Sequence, residues 1–424
     1  LVIESIEIRS IKFYHLHFFQ VPVSTTTKSF SRITIQENKE GGIASRNTRL
    51  RIGVNASMLD SKPTGVGVFT YNLINHMHLL LKEDHQIDLT VFSPVDKHLE
   101  PGIRVQRIPS ALQSSEYPRS SAISRLAWNQ LMYPVVARNM DILLNPSTHG
   151  HLWPGKQVLT IHDLLSLRFN NISGHQRLYF QNVLPRMIRQ SAAVITVSEC
   201  TKQEVIRHFG TQADKIRVIN NGFDRRNFCP SLAGSQKILD RYGVSGYILA
   251  VGPTYPHKNF GTLFQAYAQF SSRERKQYPL LIAGGRPSYI AQLRKLSDHA
   301  GLSQYIHFTG YVPQELMPAL YQEARLLVFP SLYEGFGIPL LEAMGCGCPI
   351  VCSDTSSMPE VCGNAAIYAD ALKPDSMHAG MKVVLENESL CTLLRKNGLS
   401  RAKHFSWERA ASEVIQLMRE ISAK

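Results

Sequence analysis

A chain of 424 residues, 44% of them hydrophobic, is long enough for two α/β domains that each bury a core. No apolar run approaches the roughly 18 residues of a membrane span, so no transmembrane helix is expected. The net charge of +13 favours anionic partners, yet no basic run carries interleaved aromatics and no zinc-finger spacing occurs, so nucleic acid is not an expected partner.

In chain order, residues 1–49 differ in character from the remainder of the chain. Glu4, Glu7, Arg9 and Lys12 interrupt the apolar start and exclude a secretory core. Residues 24–49 are rich in Ser, Thr, Lys and Gly without helical period, which predicts a poorly ordered, dispensable arm. A doubly wound pattern begins at Leu50. Strands are predicted at Arg51–Asn55, Ile87–Phe92, Ile103–Ile108, Asp141–Asn145, Val158–His162, Ala193–Val197 and Ile216–Ile219. Helices are predicted at Val68–Leu81, Ser124–Arg138, His175–Gln190 and Thr201–Phe209. This alternation indicates a parallel sheet covered on both faces. Asp224–Gly234 reads as a linker, which sets domains at 50–232 and 233–424.

The pattern then restarts, with strands at Tyr247–Val251, Leu280–Ala283, Tyr305–Phe308, Leu326–Phe329 and Ile350–Cys352. Helices fall at Asn259–Phe270, Tyr289–His299 and Pro313–Glu323, and three helical segments end the chain. The fold class is α/β: two Rossmann-like domains facing a cleft, with ligands expected at the carboxyl ends of the strands. The basic excess sits in the first domain, where 20 Lys and Arg face 13 Asp and Glu across residues 50–232. Seven cysteines, an odd number, suggest free thiols in a reducing compartment, hence the cytoplasm. Cys346, Cys348 and Cys352 invite a zinc reading. Cys352, however, follows Ile350-Val351 in a buried strand, and core thiols are the stronger reading, with no metal site expected.

Four loops and one strand-loop-helix corner carry the candidate chemistry. At the corner, Glu334 and Glu342 have seven residues between them, including Gly335, Gly337 and Pro339. Pro339 suits the first helical position, which puts Glu334 on a loop and Glu342 in the first turn of a helix. Free N–H groups around Phe336–Leu340 would then face an anion. Two acids beside an anion hole suit a ligand with both hydroxyls and phosphate, such as a sugar nucleotide; the plain alternative is a corner with two solvated glutamates. The loop Lys62–Gly67 either brings backbone N–H groups to a phosphate through Gly65 and Gly67 or is an ordinary turn. His162 at a strand end reads first as a structural histidine, and Asp163 as a cap for the next helix. Lys258 is either a solvated charge or a neutralising group for a diphosphate. Thr309–Pro313, with Tyr311 and Val312, is adequately read as a strand end and turn.

The run P-S-x-x-E-G-F-G-I-P-x-x-E-A-M-G from Pro330 to Gly345 resembles the signature of family-4 retaining glycosyltransferases, which have the GT-B architecture. T-I-H-D-L-L-S-L-R-F, from Thr160, is similar to that family's active-site histidine segment. The resemblance implies an acceptor domain at 50–232 and a donor domain at 233–424, with the final helices packing back toward the first. It also implies roles. His162 and Glu334 would meet the donor sugar, and Glu342 the ribose. Lys258 with Phe336, Gly337 and Ile338 would hold the leaving diphosphate, and Gly65 and Gly67 would lie against the phosphates. Tyr311 and Val312 would pack the nucleobase, largely through their backbone. No metal or other cofactor is implied. Many relatives carry an arginine where Pro253 stands, and His257 or Arg225 is the candidate replacement.

T-G-V-G-V-F-T-Y-N-L and V-S-E-C-T-K-Q-E-V are further similar to bacterial mannosyltransferases of surface-polysaccharide synthesis, including lipopolysaccharide. The expected reaction moves a hexose, mannose first, from a nucleotide-diphosphate sugar, GDP-mannose first, to a glycan or lipid-linked acceptor. Peripheral contact with the anionic inner face of the membrane is a further expectation. The rivals are a sugar-nucleotide epimerase on the same fold and a non-catalytic two-domain sugar- or anion-binding protein.

Overall fold

The short apolar runs pair as two wholly parallel sheets. In the computed structural model, which describes residues 49–61, 65–113, 121–169, 174–230 and 241–424, the first sheet comprises seven strands. These are β1 (Leu50–Asn55), β2 (Ile87–Ser93), β3 (Val105–Arg107), β4 (Ile142–Asn145), β5 (Gln157–Ile161), β6 (Ala193–Thr196) and β7 (Ile216–Val218), in the order β3-β2-β1-β4-β5-β6-β7. The second sheet holds β8 (Ile248–Val251), β9 (Leu280–Ala283), β10 (Ile306–Gly310), β11 (Leu326–Phe329), β12 (Ile350–Ser353) and β13 (Ala366–Ala369), in the order β10-β9-β8-β11-β12-β13. Strands β4, β5, β6, β8, β9, β11 and β12 are buried at every residue, because helices cover both faces of each sheet. The strand order reverses beside β1 and again beside β8, and crevices for ligands open at such points. The expected arm, the segment Lys62–Thr64 and the last four linker residues, 231–234, lie outside the described residues.

Prolines reshape two of the expected helices. His175–Gln190 is two helices, Gly174–Asn182 and Leu184–Gln190, because Pro185 has no N–H to continue the ladder. The Ser124–Arg138 helix is three pieces, with a π-helical turn at Trp128–Met132 before the Pro134 segment. Pro134 cannot donate to the carbonyl of Gln130. The Trp153 indole N–H takes that acceptor instead, at 2.7 Å. The edge strand β13 escaped sequence reading because Ala366-Ile367-Tyr368-Ala369 is too short to show a period.

The last helix, Trp407–Ser422, crosses back onto the first helix, Gly65–Leu81. Phe69 and Trp407 meet edge to face at 5.7 Å, and Lys156 Nζ donates to the Ile421 carbonyl at 3.0 Å. The crossing needs Gly222, since a Cβ there would lie 2.1 Å from the Trp407 backbone nitrogen. One continuous apolar cluster accordingly runs from Val54 and Leu73 through Trp407 to Phe336 and Leu340. Cys346, Cys348 and Cys352 are buried free thiols in it, and burial pushes Cys348 up to about 12, which keeps it an unreactive thiol.

Candidate active site

Strand β11 delivers the chain to a loop, Pro330–Gly337, and then to the helix Ile338–Gly345. Gly337 has φ 99°, a left-handed conformation that glycine adopts without strain, and it starts the helix one residue earlier than expected. Pro339 is therefore the second helical residue, and Glu342 is the fifth, just past the first turn. No side chain caps this N-terminus, which leaves the positive end of the helix dipole without a side-chain partner. Phe336 is buried with its ring against Phe405 at 5.8 Å, which leaves only its backbone for a ligand.

Lys258 reaches this corner from β8. The turn Pro256–Lys258 ends at Asn259, whose φ of 60° is tolerable for asparagine. Its side-chain amide donates to the carbonyls of Pro330 at 3.1 Å and Ala371 at 2.7 Å. Leu332 N–H donates to the His257 carbonyl at 2.8 Å. Stitched together in this way, the loops after β8 and β11 bring Lys258 Nζ to 2.6 Å from Glu334 Oε1. The two side chains are 17% and 13% exposed, so neither is the solvated surface charge of the plain reading. Ser356 and Ser357 fix the peptide around Glu334: their hydroxyls donate to its carbonyl at 2.5 and 3.0 Å, and Ser356 accepts from its N–H at 3.0 Å.

The first domain supplies the opposite wall. His162 follows β5, and its Nε2–H donates to the Pro146 carbonyl at 2.8 Å, which leaves Nδ1 as the acceptor. Burial lowers its pKa to about 4, so the ring is neutral at physiological pH. Its ring stands edge-on to Phe69 at 4.6 Å. Gly335 lies directly on the His162 backbone, and its carbonyl accepts from Ser198 Oγ at 2.7 Å. His162 and Glu334 thus come together from separate domains. Asp163 accepts from Leu165 N–H at 3.0 Å, but the N-cap position of the helix Leu165–Arg168 is Leu164, so Asp163 is not the cap expected of it. Its carboxyl is raised, first by burial and further by Glu334 and Glu204, with Lys258 opposing.

Gly65 and Gly67 are not in a loop. Both belong to the first turn of Gly65–Leu81, and a Cβ on Gly65 would meet open space. Tyr311, after β10, is 83% exposed while Val312 is buried, so the turn presents an uncovered ring beside its backbone. Glu342 accepts from the Tyr321 hydroxyl at 2.8 Å through Oε2, and burial raises its pKa to about 7. Among the described residues no three His, Cys, Asp or Glu side chains converge as metal ligands.

Neither His257 nor Arg225, the two candidates left open by the sequence, presents a free cation in place of the arginine at Pro253. Arg225 is committed to the carbonyls of Lys403 and Phe405, at 2.6 and 2.9 Å. His257 is buried, and burial lowers it to about 4, with Lys258 adding to the shift; it carries no charge at neutral pH. The cation that does approach was missed. Arg286 N–H donates to the Pro253 carbonyl at 3.1 Å, and its guanidinium lies 4.3 Å over the Tyr255 ring while donating to that hydroxyl at 2.6 Å. Its signal in the sequence was the Gly284-Gly285 pair ending β9, where a Cβ on Gly285 would strike Pro253 at 2.5 Å.

A cation, an uncapped helix end and a carboxylate facing a neutral imidazole suit a ligand with a diphosphate and sugar hydroxyls. Residues 235–401 match the glycosyl transferases group 1, and residues 63–227 match glycosyltransferase family 4. The O-antigen chain mannosyltransferase B of Escherichia coli is 35% identical over 263 residues, 61% of this chain and 69% of that protein. The O-antigen chain mannosyltransferase RfbU of Salmonella typhimurium is 27% identical over 78% of this chain and 89% of its own. In fold, the chain is similar to a sucrose-phosphate synthase from Thermosynechococcus elongatus, with TM-score 0.72 and 20% identity over 88% of this chain and 100% of that one. It is also similar to Anabaena Alr3699/HepE in complex with UDP and glucose, with TM-score 0.67 and 18% identity over 88% and 100%. The paired acids, the two facing sheets and these relatives converge: the chain belongs to the family-4 glycosyltransferases and has their GT-B fold.

Proposed function

We propose that this glycosyltransferase moves mannose, with retention and without a metal, from GDP-mannose to a glycan or lipid-linked acceptor in surface-polysaccharide synthesis. The observation that carries the reading is the Lys258–Glu334 pair, at 2.6 Å, beside the uncapped helix start and facing His162. The two relatives, both O-antigen mannosyltransferases by name, favour mannose. Lys258 and the backbone donors at Gly337–Ile338 stabilise the charge that develops on the departing diphosphate, the largest catalytic contribution. Arg286 stands ready to share it. Glu334 stabilises the positive charge growing on the sugar, and His162 Nδ1 accepts from a sugar hydroxyl. The acceptor hydroxyl attacks the face that the diphosphate leaves, its proton passing to the departing phosphate oxygen.

Incubating the protein with a panel of nucleotide sugars and a lipid-linked glycan tests this. Transfer from GDP-mannose with an α-linked product, insensitive to EDTA, is expected. An inverted product or loss with EDTA refutes the mechanism. A changed sugar released without acceptor makes the protein an epimerase, and donor binding with no turnover makes it a binding module.

Glu342 holds the ribose in this reading, a part of the donor that does not react. Glu342→Gln is therefore expected to raise donor KM roughly 10-fold with little change in kcat, because it removes uniform binding. A second effect comes from its pKa of about 7. The carboxylate accepts from ribose hydroxyls and the acid form does so poorly, so donor KM should fall as pH rises through 7 in the wild type and stay flat in Glu342→Gln. An equal pH dependence in both proteins would remove Glu342 from the ribose.

Among the described residues no helix is long and apolar enough to cross a membrane. The reading places the enzyme in the cytoplasm, attached peripherally to the anionic inner face. Exposed Ile123, Leu126, Leu131, Met132 and Val135 support this, with Trp153 beside them on the more basic domain. Binding to vesicles containing anionic lipid should weaken as salt shortens the Debye length below about 8 Å, and Leu131→Glu should weaken it further. Equal binding to neutral vesicles would count against it.

A further inference from the structure

Tyr333 immediately precedes Glu334 and is 1% exposed, yet its hydroxyl does not serve its own domain. It donates to Glu204 Oε2 at 2.5 Å, on the helix Glu199–Phe209 of the first domain. It also accepts from Leu164 N–H at 3.1 Å, two residues after His162. Glu204 is 6% exposed, and its other oxygen is 3.1 Å from Arg168, whose guanidinium lies 5.1 Å over the Tyr333 ring. On the far side of Glu334, the Gly335 carbonyl accepts from Ser198 and from Thr201 Oγ1, at 2.7 and 3.3 Å. Glu360 reaches from the second domain to the free N–H groups of Glu199 and Cys200, at 2.8 and 3.1 Å, and so caps that helix across the cleft.

We infer that Tyr333 and Glu204 form a latch between the domains that sets the distance from His162 to Glu334, which makes both of them positioning residues. The inference rests on the transferase reading. Separating the domains would leave a buried carboxylate without its hydroxyl donor and Leu164 N–H without an acceptor. Buried polar groups left unpaired are costly, so the closed arrangement is selected over a partly open one. The hydroxyl carries the hydrogen bonds of Tyr333 to the other domain, while its ring lies under Arg168. It acts between the chain neighbours of His162 and Glu334, and so controls their register and not the nucleotide.

The test is a kinetic cycle on the full chain, with GDP as the binding probe. Tyr333→Phe should lower kcat by about 10- to 100-fold, as misplacement of reacting groups by about 1 Å does. GDP affinity should stay within about twofold, because Lys258, Glu342 and the helix start at Gly337, which hold the nucleotide in this reading, all lie on the second domain. Glu204→Ala should show the same loss, and the double variant no further loss, since either change breaks the contact that the two residues share. Glu204→Gln still accepts from Tyr333 and should recover most of kcat. Hydrogen exchange around Gly335 and at the start of Glu199–Phe209 should speed up in Tyr333→Phe and not in Glu204→Gln.

Unchanged kcat in Tyr333→Phe, additive losses in the double variant, or a Glu204→Gln as impaired as Glu204→Ala would overturn the latch. If Glu204→Ala does not fold, the comparison of Tyr333→Phe with Glu204→Gln decides alone. A wild-type protein without transfer activity overturns the transferase reading itself, and the exchange measurement then still judges the latch.

Discussion

Glu334→Gln is expected to lower kcat by on the order of 10²-fold or more while leaving donor affinity nearly unchanged. The carboxylate is held ready: Lys258 pairs with it, and Ser356 and Ser357 bind its carbonyl and N–H. The cost of orienting it is therefore met before the sugar carries any charge. Positive charge develops on the sugar only in the transition state, so the negative oxygen acts there more than on the bound donor. Glutamine fills the same space without that charge. Lys258→Ala should cut kcat to a similar extent, because it strips the cation from the leaving diphosphate. It should also destabilise the fold, by up to about 3–5 kcal/mol, since a largely buried Glu334 loses its partner. Initial rates at saturating donor, together with thermal melts, separate these effects. Wild-type kcat in Glu334→Gln, with the loss appearing in Glu342→Gln instead, would reverse the two assignments.

The reach of the sequence ends where contacts depend on topology. Glu334, Glu342 and the turn between them were legible because one strand-loop-helix unit carries them within a dozen residues. Strand β5 and His162 were legible for the same reason. The meeting of Lys258 with Glu334 was expected only through a shared ligand. Its direct cause, the Asn259 bridge to Pro330 and Ala371, joins loops 71 and 112 residues apart. Arg286 was hidden likewise, since β9 lies next to β8 only once the strand order is known. The break at Val183 was written in Pro185 but masked by the apolar period around it. Burial of polar groups was the least visible feature. Tyr333 reads as one more aromatic of an apolar strand end, and Glu204 as one more charge on an amphipathic helix, until the cleft closes on both.

Gly335→Ala should abolish most activity without unfolding either domain. The φ of Gly335 is not in the left-handed region, so alanine is acceptable to its own backbone. The obstacle is the other domain: a Cβ would lie 1.9 Å from the His162 carbonyl oxygen, 2.9 Å from its carbon and 3.0 Å from Asp163 Cβ. Two of those three are backbone atoms at the end of a fully buried strand, and no rotamer change moves them. The cleft must instead open by roughly 1 Å or more, a displacement large enough to cost on the order of 10²-fold in rate. Each domain keeps its own sheet, and one apolar cluster still joins them through Trp407, so the melting temperature should fall by the loss of contacts across the cleft. GDP should still bind, because Lys258, Glu342 and the helix start at Gly337 all belong to the second domain. Scattering measurements should show a larger radius of gyration than the wild type, and kcat should drop with GDP affinity retained. A Gly335→Ala enzyme with wild-type kcat would mean that the reaction proceeds in a more open cleft than this one, and that the contact of Gly335 with His162 serves stability alone.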